Sequence, residues 1–147
     1  MFAKTAEFYD LVYSFKDYQG EAQKIRDLII QNHPQAKTIL DVACGTAEHS
    51  RFLSKEFSID GIDLQPEFVA AANKKVPSGN FSIADMREFD LGKKYDVVQC
   101  LFSSIGYLKT GEDVVAALKC FRNHLAPEGV IIVEPWFTPE VYMPGVP

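Results

Sequence analysis

Apolar positions follow two rhythms along this chain. Ala22, Ile25, Leu28 and Ile29 recur at helical spacing, which predicts a helix over 20–32, and a shorter aromatic helix precedes it over 8–15. After Lys37 the rhythm changes to brief apolar runs separated by loops and by amphipathic stretches. Strands are predicted near 38–43, 58–62, 80–84, 95–102 and 129–134, with helices between them at about 47–56, 66–76 and 111–125. Strand alternating with helix implies right-handed crossovers and a doubly wound α/β fold. The expected architecture is a parallel sheet of order 3-2-1-4-5 with helices on both faces and a ligand at the carboxyl ends, where strand order switches. No internal repeat or low-complexity linker interrupts the pattern. One domain is expected, divided into N-terminal helices (1–33), a ligand-binding sheet (37–135) and a proline-rich tail (136–147).

The segment ILDVACGTAEH (39–49) narrows the ligand. Ile39, Leu40, Val42 and Ala43 form a run suited to a strand covered on both faces, and Gly45 then opens a loop of small residues where a ligand can approach main-chain N–H groups. A phosphate loop would close on Lys followed by Ser or Thr, and this loop does not. A dinucleotide fingerprint would put glycine where, counting from Cys44, the bulky His49 stands. The acid Asp41 at the strand's end opposes phosphate and suits a cationic ligand. S-adenosylmethionine, with a sulfonium and an ammonium and no phosphate, fits that requirement; a plain strand-to-helix turn is the alternative.

Two further acids end the next two strands. Asp63 closes SIDGIDL (58–64), 22 positions after Asp41, where a carboxylate can accept from both hydroxyls of a ribose. With Pro66 following, it also reads as a helix cap, and the two roles are compatible. Asp85 and Met86 follow the third strand; the first would hold an adenine amino group and the second pack on the ring, while Asp85 taken alone reads as a turn residue.

Composition removes several classes. The chain has 147 residues, 47% apolar and 24% charged, enough for one substantial core. A net charge of -5 argues against a nucleic-acid surface. The start shows no signal-peptide pattern, and the run from Val130 to Val133 is far too short to span a membrane, so a cytoplasmic protein is expected. Cys44, Cys100 and Cys120 have neither disulfide nor zinc spacing, and His33, His49 and His124 show no ligand spacing, so no metal is expected.

With these residues in hand, the chain resembles the class I S-adenosylmethionine-dependent methyltransferases, of Rossmann-like fold. DVACGTA (41–47) looks like the glycine loop, GIDL (61–64) the ribose acid and ADM (84–86) the adenine acid. YDVVQCLFS (95–103) looks like the fourth strand and HLAPEGVIIVEPW (124–136) the fifth. Within that family it is most similar to the N,N-dimethyltransferases of nucleotide-linked 3-amino-deoxyhexoses, through YDLVY (9–13), KDY (16–18), MREF with LGKKYD, SSIGYL and EPWF. The resemblance implies S-adenosylmethionine as cofactor, with S-adenosylhomocysteine as product. Its binders would be Tyr18, Asp41, Ala43, Cys44, Gly45, Asp63, Leu64, Asp85, Met86, Leu101 and Phe102. Tyr9 and Tyr107 would orient amine and sugar, and Tyr13, Ser103, Ser104, Glu134 and Trp136 would contact the substrate. For Tyr13, core or hinge packing is an equal alternative. Ala47 replaces the family's usual third glycine, which implies a slightly tighter loop.

The implied reaction is displacement of the sulfonium methyl onto a neutral amine, with a small-molecule substrate and no nucleic-acid or membrane partner. Two other readings stand: a binder of the cofactor or its product without turnover, and an NAD-dependent oxidoreductase, which Asp41, Ala47 and His49 disfavour. The family ordinarily continues past the fifth strand with two more strands and an inserted sheet that forms a homodimer. Five of the eight prolines fall from Pro127 onward, and PEVYMPGVP does not read as strand, so the chain reads as truncated at its C-terminal end.

Overall fold

Five short segments form one sheet in the computed structural model, which describes residues 2–141 and side chains from Lys4 onward. They are β1 (Thr38–Val42), β2 (Ser58–Asp63), β3 (Phe81–Ile83), β4 (Tyr95–Cys100) and β5 (Leu125–Val133). Every neighbouring pair is parallel and the order is β3-β2-β1-β4-β5, as the alternation predicted. The helices are α1 (Phe2–Val12), α2 (Tyr18–Asn32), α3 (Glu48–Leu53), α4 (Pro66–Lys75) and α5 (Gly111–Asn123), with a 3₁₀ turn at Ser104–Tyr107. Residues 142–147 of the expected tail lie outside the described residues.

Strand alternation sorts the apolar side chains into two cores. Ile39 and Val97 face α2, α3 and α4, packing with Ile25, Ile29, Leu53 and Ala72, while Leu40, Val42 and Val98 face α5 through Ala117 and Phe121. Full burial of each such aliphatic side chain is worth roughly 1.5–3 kcal/mol, which makes the central pair β1 and β4 the rigid base beneath the loops. Gly61 lets β2 approach β3: a Cβ there would meet the Phe81 ring at 2.7 Å.

Boundaries depart from the pattern where side chains or turns intervene. α1 starts earlier than expected and stops at Val12, because a turn through residues 13–16 brings Asp17 to cap α2 by accepting from the Gly20 N–H at 3.0 Å. β4 ends at Cys100, since Phe102 and Ser103 turn left-handed with φ of 53° and 59°. β5 begins at Leu125, which pairs with Tyr95. The chain then bulges through Glu128 (φ 63°) and resumes pairing at Val130, the start of the segment that the apolar run marked.

Candidate active site at the carboxyl ends of the strands

The turns leaving β1, β2 and β4 open on the same side of the sheet and enclose a continuous crevice. Among the described residues, four of the five non-glycine positions with left-handed backbone lie there: Ala43 (φ 57°), Ala47 (φ 63°), Phe102 and Ser103. A side chain in that region costs of order 1–3 kcal/mol, and such strain gathers where a loop is held in one shape for a ligand. Gly45, also left-handed at φ 56°, has open space within 4 Å of where a Cβ would stand, so the loop faces the crevice and not the core. Ala47 is fully buried and caps α3 through its backbone conformation alone.

The crevice has three parts. An inner recess is lined by Tyr18, Asp41, Ala43, Cys44, Gly45, Leu101 and Phe102, together with Thr46, Glu48 and His49. Next to it lies a more apolar cavity of about 330 Å³. Asp63, Leu64, Met86, Ser104 and Tyr107 line it, with Ile62, Gln65, Phe68 and Ala84. Beyond is an outer, aromatic cavity of about 420 Å³ formed by Tyr13, Phe102, Ser103, Ser104, Gly106, Tyr107 and Trp136. Tyr9 on α1 lines all three. Its ring lies 4.9 Å from Phe68 and 4.8 Å from Tyr13, so α1 roofs the crevice by aromatic contact.

The acids that looked alike in sequence have different surroundings. Asp41 is buried, and desolvation pushes its carboxyl above the usual range even though Ser50 donates to it at 2.5 Å. Asp63 accepts from the Gly45 N–H at 2.9 Å and the Gln65 N–H at 3.0 Å, which ties the glycine loop to the start of α4 and leaves lone pairs facing the apolar cavity. Asp85 is not on the cavity wall. Hydrogen bonds from the Arg87 side chain, the shortest 2.7 Å, hold its carboxylate below the usual range, and Arg87 reaches on to Asp113. Glu134 is not on the wall either; it accepts from the Phe102 N–H at 2.7 Å and braces the left-handed turn.

Burial also sets the protonation of the neutral groups. It pushes Tyr9 up to about 12 and Tyr18 higher still, so both keep their protons near neutrality. The Cys44 thiol is pushed well up by desolvation and by the nearby Asp41 and Asp63, which removes it as a nucleophile. His49 pairs with Glu21 at 2.7 Å and meets Tyr18 edge-on. Sequence reasoning left out Glu48 and Phe68 as crevice residues. The available signals were an acid immediately after the glycine loop and an aromatic beside the core positions Val69 and Ala72 of α4. Among the described residues no cluster of metal-ligating side chains occurs, and no helix is long and apolar enough to cross a membrane.

Comparison with known proteins gives one consistent result. Residues 39–129 match the family model described as a methyltransferase domain. The dTDP-3-amino-3,4,6-trideoxy-alpha-D-glucopyranose N,N-dimethyltransferase of Streptomyces venezuelae is 44% identical over 143 residues, covering 95% of this chain and 60% of that protein. The dTDP-3-amino-3,6-dideoxy-alpha-D-glucopyranose N,N-dimethyltransferase of Streptomyces fradiae is 42% identical, over 95% and 56%. Among solved structures, Streptomyces venezuelae DesVI superposes with a TM-score of 0.90 at 43% identity, covering 97% of this chain and 61% of that one. The SAM-bound structure of CalS10, an amino pentose methyltransferase from Micromonospora echinaspora, gives 0.89 at 36% identity, over 95% and 60%. The chain thus spans about 60% of the length of these relatives. With the domain match running through the glycine loop, Asp63 and β4 and covering more than half of the sequence, the chain belongs to the methyltransferase domain family.

Proposed function

We propose that this protein binds S-adenosylmethionine and transfers its methyl group to the amine of an amino-deoxysugar nucleotide. The observation that carries the reading is the division of the crevice into an acid-bearing recess, an apolar cavity with Asp63 at its wall, and an aromatic outer cavity. A ligand with a cationic end and an uncharged nucleoside fits that order. A pyrophosphate does not, because Asp41 and Glu48 face the recess and the nearby Lys75 is already paired with Glu48 at 2.6 Å. The names of the relatives support an amino sugar as acceptor. The net charge of -5 supports a small-molecule enzyme without a nucleic-acid partner.

When bound, the cofactor supplies an activated methyl group on a positively charged sulfur. The chain's own residues supply placement. Asp63 would accept from the ribose hydroxyls, Met86 and Phe68 would pack the adenine, and Glu48 and Asp41 would balance the ammonium. Tyr9 and Tyr107 would align the acceptor nitrogen. Among the described residues that line the outer cavity there is no carboxylate or imidazole, and Tyr9 holds its proton to about 12, so the reading takes the amine as arriving neutral, its proton lost to solvent.

A second reading, binding without turnover, is favoured by the openness of the outer cavity, where Tyr107 is 84% and Trp136 60% exposed. Calorimetry with S-adenosylmethionine, S-adenosylhomocysteine and NAD, followed by mass spectrometry of dTDP-linked amino sugars, tests both. Binding of the first two ligands with a 14-dalton gain on the sugar is expected, about one methyl group for each transfer. Tight binding without mass gain selects the second reading, and binding of NAD alone overturns the proposal.

A further inference from the structure

One charged cluster borders the inner recess, and two of its members, Asp10 and Lys75, have no ligand role in the site described above. Asp10, next to Tyr9 on α1, accepts from the Thr46 hydroxyl at 2.5 Å and from the Lys75 ammonium at 2.5 Å. Lys75, in the last turn of α4, also donates to Thr46 at 3.0 Å and to Glu48 at 2.6 Å. Four elements therefore meet on one ammonium: α1, the glycine loop, the first residue of α3 and the end of α4. Thr46 is buried and the Glu48 side chain is only 14% exposed, so these pairs are shielded from solvent more than a surface ion pair is.

Among the side chains of α1 described from Lys4 onward, Ala6 is buried, whereas Phe8, Leu11 and Val12 are exposed. Tyr9 against Phe68 and Asp10 against Thr46 and Lys75 join the helix to α4 and the glycine loop. Thr46, which donates to Asp10, lines the inner recess, as does Glu48, which shares Lys75 with Asp10, so the cluster borders groups a ligand would touch.

We infer that Asp10 is a positioning residue, latching α1 through Thr46 and Lys75 onto the glycine loop so that Tyr9 is held in the crevice and the bound cofactor is enclosed. The inference rests on the cofactor reading for its second half only. A shut latch keeps Tyr9 over both the cofactor and acceptor cavities; an open one releases the roof while the sheet and the glycine loop remain. A latch that is shut in the ligand-free protein must open for a ligand to enter as well as to leave, so weakening it speeds both steps.

Amide hydrogen exchange on the ligand-free protein tests the latch itself, with Asp10→Asn, Lys75→Met and the double variant. Exchange across residues 2–12 is expected to accelerate by roughly tenfold in each single variant, with little further change in the double, while β1 and β4 amides stay protected. Stopped-flow measurement with S-adenosylhomocysteine is expected to show dissociation faster by roughly fivefold or more, with association no slower than in the wild type. Unchanged α1 exchange in both single variants overturns the latch, as do additive effects in the double. Protected β1 and β4 amides show that a variant is folded, and if Asp10→Asn fails there, Lys75→Met decides alone. If the wild type binds no adenosyl ligand, the cofactor reading falls and the exchange result still decides whether α1 is latched.

Discussion

Replacing Asp63 with alanine separates a ribose contact from a loop brace. The carboxylate already holds two backbone donors, Gly45 N–H at 2.9 Å and Gln65 N–H at 3.0 Å, and its remaining lone pairs face the apolar cavity. Hydrogen bonds to a charged group are worth about 1.5–3 kcal/mol net, and a half-exposed carboxylate belongs toward the lower end. Loss of the ribose contacts then weakens S-adenosylhomocysteine by roughly 10- to 30-fold in calorimetry. Loss of the brace loosens the glycine loop and lowers affinity for any ligand seated there. An adenosyl ligand without ribose hydroxyls tells the two apart: the penalty of Asp63→Ala should shrink to the brace contribution. Asp63→Asn, which keeps one acceptor oxygen, should fall between wild type and alanine. An equal penalty for ligands with and without the hydroxyls would refute the ribose assignment and leave Asp63 as a brace.

Tyr9→Phe should lower kcat by roughly tenfold through misalignment of the acceptor while leaving the pH profile in place, because burial keeps the hydroxyl protonated up to about 12; a shifted midpoint in the variant would make Tyr9 the base after all. Burial by itself raises Asp60, but bonds from Tyr95 (2.7 Å), Lys93 (3.0 Å) and the Asn80 N–H outweigh it and leave the carboxyl lowered. Its stabilising effect is therefore present above the unfolded value near about 4 and lost as pH falls through the folded value. Tyr95→Phe should cost about 1–2 kcal/mol at neutral pH and flatten the acid limb of stability, read from urea melts at several pH values; an unchanged limb would argue against the pairing. The Gln99 side-chain amide is fully buried beside the Asp41 carboxyl and helps to hold it down, so Gln99→Leu should strip Asp41 of that partner and cost about 1 kcal/mol in the same melts, and a gain in stability would show that the amide is unsatisfied.

Strand existence and sheet order were legible because each apolar run faces a core on its own side and the alternation with helices leaves few topologies. The loops were legible where a residue type fixes the backbone or the ligand, as with Gly45 and the acid that ends β2. What sequence did not carry was pairing across long separations. Lys75 lies 65 residues from Asp10, and nothing near either residue announces the other. The β5 bulge depends on Leu125 finding Tyr95, and the 3₁₀ turn at Ser104–Tyr107 on the left-handed Ser103.

The acids show this limit most sharply. Asp41, Asp63 and Asp85 read alike, each near the end of a strand on the ligand side. Their surroundings then separate them: Ser50 and burial enclose Asp41, Arg87 occupies Asp85, and two backbone N–H groups orient Asp63 with acceptor capacity to spare. An acid's role at such a site follows from how many of its lone pairs the fold has already used, and that number is set by partners lying anywhere from two to many residues away. On that ground Asp63 is placed to take a pair of ribose hydroxyls. Asp85 can reach an adenine edge only by giving up the Arg87 fork, so a cofactor that recruits Asp85 must also free Arg87 from it, a change that an Arg87→Met variant would make unnecessary. Tighter adenosyl binding in that variant, by roughly threefold or more, is the expected signature, and weaker binding would mean that the fork itself shapes the adenine wall.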